Sequence, residues 1–318
     1  MRTLLTLAFA IVAVQPGAIR PTASRGPHWY SGSVNLHAVH GDAAADPKAV
    51  ADTARRAGLD FITVANDTDT THDSETLAAP LLRIPSEELI TGSGHLSVLG
   101  WLNEPRVAAT TDRALAAAHK SGALVSLNHP FGSCDGCAWH EPVPATLDAI
   151  EIWNGAQGPH ADAVAMWDRL LGAGRHITAV GGSDSRSASA IDVASVRVLA
   201  PELTTRAILD AIRHGRAIVM RNAQTAPPAL VVHCGAREAG VGDSLKCKTS
   251  DTVLLDVSLP GVLDARADLF WDGERVSSKP IGRGVAFAFP ASVGYGRVHV
   301  HAADGSAMAV TNPFYIVR

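Results

Sequence analysis

Histidines, carboxylates and amides recur in this chain at the ends of short apolar runs. His37 closes "SVNLH", and His40 and Asp42 follow in "AVHGD". Asn66 and Asp67 follow "FITVA", Glu87 and Glu88 lie in "IPSEEL", and His95 lies in "GSGHLSVLG". Asn128 and His129 follow "ALVSL", Glu151 and Asn154 belong to "IEIWN", and Ser183, Asp184 and Arg186 follow "ITAVGG". Imidazole nitrogen and carboxylate oxygen together suit zinc, manganese or iron. One such histidine is usually a hydrogen-bonded structural residue, whereas several converging on one face make a metal centre. Arg186 differs in kind. A guanidinium cannot ligate a cation, but it can hold a phosphate or carboxylate through two parallel hydrogen bonds.

Those residues need a scaffold that brings strand ends together. "DPKAVADTARRAG" places Pro47 at the first helical position and Gly58 just past the end, and "FITVA" follows as a β-branched run. "TTDRALAAAHKSG", "HADAVAMWDRLLGAG" and "TTRAILDAIRHGR" read as further helices alternating with apolar strands. Apolar strands separated by helices predict a parallel sheet covered by helices, open or closed into a barrel. In such sheets the carboxyl ends of the strands carry the chemistry. Past the pair Pro227-Pro228 the texture changes to short strands, "ALVVHC", "TVLLDVSL", "ADLFWDGERV", "GVAFAFP" and "GRVHVHAADG". Asp272-Gly273 marks a tight hairpin, and the spacing predicts a small β-sandwich. Its aromatic residues are expected in its core. His299 and His301 share one face of a strand and could form a surface metal clip.

Composition excludes some classes. The chain has 318 residues, 47% of them apolar, and a formal net charge of −4, so general disorder is excluded. No dense Lys/Arg block appears, which argues against a nucleic-acid partner. The start, "MRTLLTLAFAIVAVQPGA", has the charged, apolar, small-residue order of a secretory signal and is too short to span a bilayer comfortably. A signal peptide over residues 1–24 is therefore expected, with a secreted or periplasmic product and no membrane span. Cys134, Cys137, Cys234 and Cys247 suit disulfides in that compartment, with two locally spaced pairs possible; "SCDGCAW" could instead be half of a zinc knuckle. No G-x-S-x-G, P-loop or G-x-G-x-x-G motif occurs.

The order "LH…HGD", "GLDFITVAND", "IPSEE", "GHLSVLGW", "ALVSLNHP", "IEIWNG", "GGSDSR" resembles the PHP (polymerase and histidinol phosphatase) superfamily. The resemblance is strongest to its CehA/McbA-like metallohydrolases and extends to the closing "AVTNPFYIVR". It implies an α/β fold: a distorted seven-stranded βα barrel over residues 28–222 with metal ions at its carboxyl face, then a β-sandwich over 225–318. It also implies metal-assisted hydrolysis of phosphoesters or other ester-like bonds.

Carried onto this chain, the resemblance makes His37, Glu87, His95, His129 and Asp184 metal ligands, with Glu87 bridging two ions. The pattern is edited: Val39 stands where the family has a second histidine, Asp67 where it has another, and Arg186 where it has the last. One or two divalent ions (zinc, manganese or iron) are expected rather than three. A metal-activated water would attack a small, anionic substrate. Arg186 would stabilise developing negative charge, and His40 or Asp67 would shuttle protons. The alternative is a catalytically degenerate relative that binds an anionic ligand or polymer without turnover.

Overall fold

The computed structural model describes residues 26–37, 47–65, 81–101, 111–133, 136–185, 191 and 193–318. The expected leader, His40, Asp67 and Arg186 lie outside them. No helix of the described residues is long and apolar enough to cross a membrane.

The first part of the chain runs β1 (His28–His37), α1 (Pro47–Arg56), β2 (Phe61–Ala65), β3 (Leu82–Thr91), β4 (Gly94–Leu99), α2 (Thr111–Lys120), β5 (Leu124–Leu127), β6 (Ala149–Asn154), α3 (Ala161–Gly172), β7 (Thr178–Gly182), β8 (Val193–Ala200), α4 (Thr205–Arg213) and β9 (Ala217–Asn222). The helices form where apolar residues recur at helical spacing. Val50, Ala51, Ala54 and Ala57 of the α1 segment face the sheet, as do Ala163, Trp167 and Leu171 of α3. Thr204 caps α4 by accepting from the Ala207 N–H at 3.3 Å.

Strands β1, β2 and β3 are parallel, and so are β5, β6 and β7. Between them β3, β4 and β5 are antiparallel, which departs from the all-parallel expectation. Only Gly92 and Ser93 separate β3 from β4. That connection is too short for a crossover, so the chain must turn back as a hairpin.

The sheet curls. Val34, Phe61, Ile84, Leu99, Leu124, Ala149 and Val180, one side chain from each of β1 to β7, share a single apolar cluster. Helix α4 adds Ile208, Leu209 and Ile212 to it. Phe61, Leu124 and Ala149 of it stand at the first positions of their strands, which leaves the carboxyl ends of those strands for polar groups. Gly182 permits the approach of β7 to β1, because a Cβ there would lie 1.5 Å from the Val34 carbonyl oxygen. Beyond it the His37 N–H donates to the Ser185 carbonyl at 3.1 Å.

The remaining strands are β10 (Ala229–Cys234), β11 (Arg237–Ala239), β12 (Ser244–Lys246), β13 (Thr252–Ser258), β14 (Ala265–Trp271), β15 (Glu274–Pro280), β16 (Val285–Pro290), β17 (Gly294–Ala302), β18 (Ala307–Thr311) and β19 (Phe314–Val317). They make a four-stranded sheet, β11-β10-β13-β16, facing strands that continue the first sheet through β18–β9 pairing. Between these layers lie Val232, Leu255, Phe287, Val298 and Phe314, so much of the aromatic content is core. Cys234 and Cys247 form a disulfide.

Besides the β18–β9 pairing, two buried polar contacts help to join this region to the first. The buried Asn312 amide accepts from the Ala179 N–H at 2.7 Å and donates to the Ala179 and Ala217 carbonyls, each at 2.9 Å, which satisfies the backbone of Ala179 in β7. Arg297 of β17, with a side chain only 1% exposed, forms a bidentate pair with Asp168 of α3 at 3.2 and 2.7 Å. Its guanidinium also lies 4.2 Å from the Phe270 ring centre and 5.3 Å from that of Trp167. Arg297 donates to Nε2 of His299, and burial together with that positive charge holds the imidazole pKa well below its ordinary value. That contact takes His299 Nε2 away from the surface clip that the His299/His301 spacing would allow.

Candidate metal centre

Backbone irregularities aim the polar residues. The β1–β2 register shifts between Ser33 and Leu36, just before His37 at the strand end. Asn35, His129 and Asp184 have positive φ values of 65°, 22° and 50°. Each such conformation costs about 1–3 kcal/mol in a residue other than glycine. All three sit at or beside strand ends that face the same space.

The structure brings His37, His95, His129 and Asp184 together, and the carboxylate among them belongs to Glu88. His37 Nε2 lies 3.5 Å from Glu88 Oε2 and 3.0 Å from Asp184 Oδ1. His95 Nδ1 and His129 Nε2 each lie 3.4 Å from Glu88 Oε1, and His129 Nε2 is 3.9 Å from Asp184 Oδ2. The two oxygens of Glu88 thus serve two donor sets. One contains His37 and Asp184, and the other His95 and His129.

Glu87, expected to bridge, does not take this place. Successive strand side chains point to opposite faces. Ile84, Ser86 and Glu88 are buried on one face, while Arg83, Pro85 and Glu87 are half-exposed on the other. Burial first, and then the negative charge of Glu88, raises the Glu87 pKa.

The electrostatics favour an anionic Glu88. Burial alone would raise its pKa, but hydrogen bonds from His129 and Asn128 and the charges of His37 and His95 hold it at about 2. Asn128 Nδ2 donates to Glu88 Oε1 at 2.9 Å and lies 2.7 Å from Ser97 Oγ. Burial lowers the pKa of His95 despite Glu88. For His129 burial also acts downward, but Glu88, Glu151 and Asp184 raise it on balance.

Behind His129 stands Glu151, 1% exposed. Its Oε2 accepts from the His129 backbone N–H at 2.8 Å and from Asn154 Nδ2 at 3.0 Å, while Oε1 is buried without a hydrogen-bond partner. Burial raises its pKa to about 7 against the pull of His129 and Asn154. Glu151 therefore fixes the left-handed backbone of His129. A cavity of about 360 Å³ opens beside it, lined among others by His129, Phe131, Glu151, Asn154 and His160. Cys137 also reaches the centre, its sulfur 3.9 Å from His95 Nδ1.

Three imidazoles and two carboxylates, converging with a pre-ionised glutamate between them, fit one or two divalent cations of the zinc, manganese or iron type. Strand parity in "RIPSEEL" could have distinguished Glu88 from Glu87. No sequence signal places Cys137, because its approach depends on how the loop after His129 returns.

No family model matches the chain, and no curated protein matches it. Among solved structures, the chain is similar to a two-domain protein containing a predicted PHP-like metal-dependent phosphoesterase from Bacteroides vulgatus ATCC 8482. The similarity covers 95% of this chain and all of that one, with a TM-score of 0.54 at 16% sequence identity. At that identity the likeness establishes a shared α/β fold rich in sheet.

Proposed function

We propose that this chain is a metal-dependent hydrolase of phosphoesters or other ester-like bonds, of the PHP superfamily and its CehA/McbA-like branch. In this reading the curled β1–β7 sheet is the distorted barrel, and the C-terminal layers are the sandwich. The observation that carries the reading is the division of Glu88, one oxygen toward His37 and Asp184 and the other toward His95 and His129. The phosphoesterase description of the structural neighbour supports the same reaction class.

His37, Glu88 and Asp184 would hold one cation, and His95, His129 and Glu88 a second. Such ions, when bound, act as Lewis acids and bring the pKa of a water toward neutrality. The chain's own groups set the stage. Glu88 stays ionised across the physiological range, Asn128 fixes its rotamer, and Glu151 fixes the backbone of His129. The adjoining cavity receives the body of the substrate, so that its ester group lies against the imidazoles. His40 and Asp67 are assigned proton transfer and Arg186 the binding of an anionic group. The leader-like start supports an exported enzyme.

Elemental analysis of protein purified without chelators tests this reading, with Glu88→Gln and Glu87→Gln beside the parent. Close to two equivalents are expected in the parent and in Glu87→Gln, and a sharp loss in Glu88→Gln. Chelator-sensitive hydrolysis of an aryl phosphate should follow the metal content. Absence of bound metal after incubation with zinc or manganese would overturn the assignment and leave an anion-binding barrel.

A further inference from the structure

The sulfur of Cys137, one ring nitrogen of His95 and one of His129 all lie within 4.8 Å of one another, and all three residues are buried. His129 Nδ1 is itself buried without a hydrogen-bond partner. Gly132 lets these groups meet: a Cβ there would lie 3.1 Å from Cys137 Cβ and 3.2 Å from His129 Nδ1. Two imidazoles and a thiolate are a strong set for zinc. Cys137, however, is disulfide-bonded, and a disulfide sulfur carries no thiolate charge to offer a cation.

We propose that Cys137 is a redox-released ligand that converts the His95/His129/Glu88 position from an open site to a closed one. The proposal rests on the cation assignment above for His95 and His129. The reductant is a dithiol. One of its thiolates attacks the disulfide and the S–S bond breaks; its second thiol then resolves the mixed disulfide, and the reductant leaves as its own disulfide. Two electrons and two protons have passed to the protein sulfurs. The Cys137 thiol gives up its proton on binding the cation. Three protein ligands leave a position for water or substrate, whereas four close a tetrahedral site. Reduction therefore strengthens metal retention while it suppresses hydrolysis. A disulfide that merely braced the loop would lower both together.

Cobalt(II) reports the switch directly, because a thiolate bound to cobalt gives a near-ultraviolet charge-transfer band that imidazole and carboxylate do not. Full-length protein loaded with cobalt is compared before and after a dithiol, with metal retention against a competing chelator measured on the same samples. Cys137→Ser, which keeps Cys234 and Cys247, is treated identically. The band should be absent from the oxidised protein, appear in the reduced parent with slower loss of cobalt, and stay absent from reduced Cys137→Ser. Cobalt bound by the reduced parent without the band, or a band that survives Cys137→Ser, would overturn the proposal while leaving the two-cation reading intact. Failure of either redox form to bind cobalt would overturn both.

Discussion

Two buried clusters in this molecule combine imidazole with carboxylate, and they resolve the same electrostatic problem in opposite ways. Around Arg297 the chain supplies the cation itself. Asp168 pairs with it through both oxygens, Phe270 lies near its guanidinium, and His299 accepts from it as a neutral ring. Around Glu88 the ion-pair partners among the described residues are His37, His95 and His129, and Asp184 adds a second carboxylate. Positive φ values and orphaned buried polar atoms gather there, at His129, Asn35 and Glu151. A latch is self-neutralised and free of such strain. The proposed ion site holds its negative charge ready, at a cost in stability.

The largest expected effect separates the two clusters outright. Glu88→Gln should bring hydrolysis to background along with metal content, while its thermal unfolding stays cooperative. Arg297→Met should do the reverse. It leaves Asp168 as an uncompensated charge and should cost about 3–5 kcal/mol of stability in denaturant titration, with metal stoichiometry preserved. Loss of metal in Arg297→Met would break the comparison, since the latch would then also shape the centre. Asn312→Ala belongs with the latch, and each backbone group it strands at Ala179 should cost about 1–3 kcal/mol. On the other side, Asn128→Ala frees the Glu88 rotamer and should weaken metal binding by about 10–100-fold in a competition titration, with little change in melting temperature. The smallest effect is alkaline. Burial pushes the Tyr315 phenol up to about 12, from an ordinary value of about 10. Because the folded value is the higher, its contribution to stability is whole below about pH 10 and is lost as pH rises toward 12. Tyr315→Phe should flatten that part of a stability–pH profile.

Much of this contrast can be seen in the sequence, but unevenly. His37, His95, His129 and Asp184 stand out because each follows or opens an apolar run, and strand ends are where such sheets gather polar groups. The choice between Glu87 and Glu88 turns on parity alone. One residue of register exchanges the faces of a strand, and the pattern Arg83, Pro85, Glu87 against Ile84, Ser86, Glu88 carried that information. The antiparallel β3–β4 pair follows from the two-residue link, a local fact overlooked when helices and strands are simply counted. Glu151 reads as another strand-end carboxylate, and its task of holding the His129 backbone depends on a hydrogen bond that spacing does not reveal. The Arg297–Asp168 latch and the approach of Cys137 to His95 depend on long-range folding, for which composition and periodicity hold no signal.

The contact made by Asn312 also sets the order in which the molecule can be made. Its amide pairs with a residue 133 positions earlier. A chain still emerging during synthesis would hold the Ala179 backbone of β7 unsatisfied until Asn312 arrives. Unsatisfied strand backbone invites pairing with another chain, and contacts of this span slow folding. The β1–β7 sheet cannot be completed ahead of the strands that bring Asn312, and a product truncated before Asn312 would have every candidate ligand and no finished sheet to hold them.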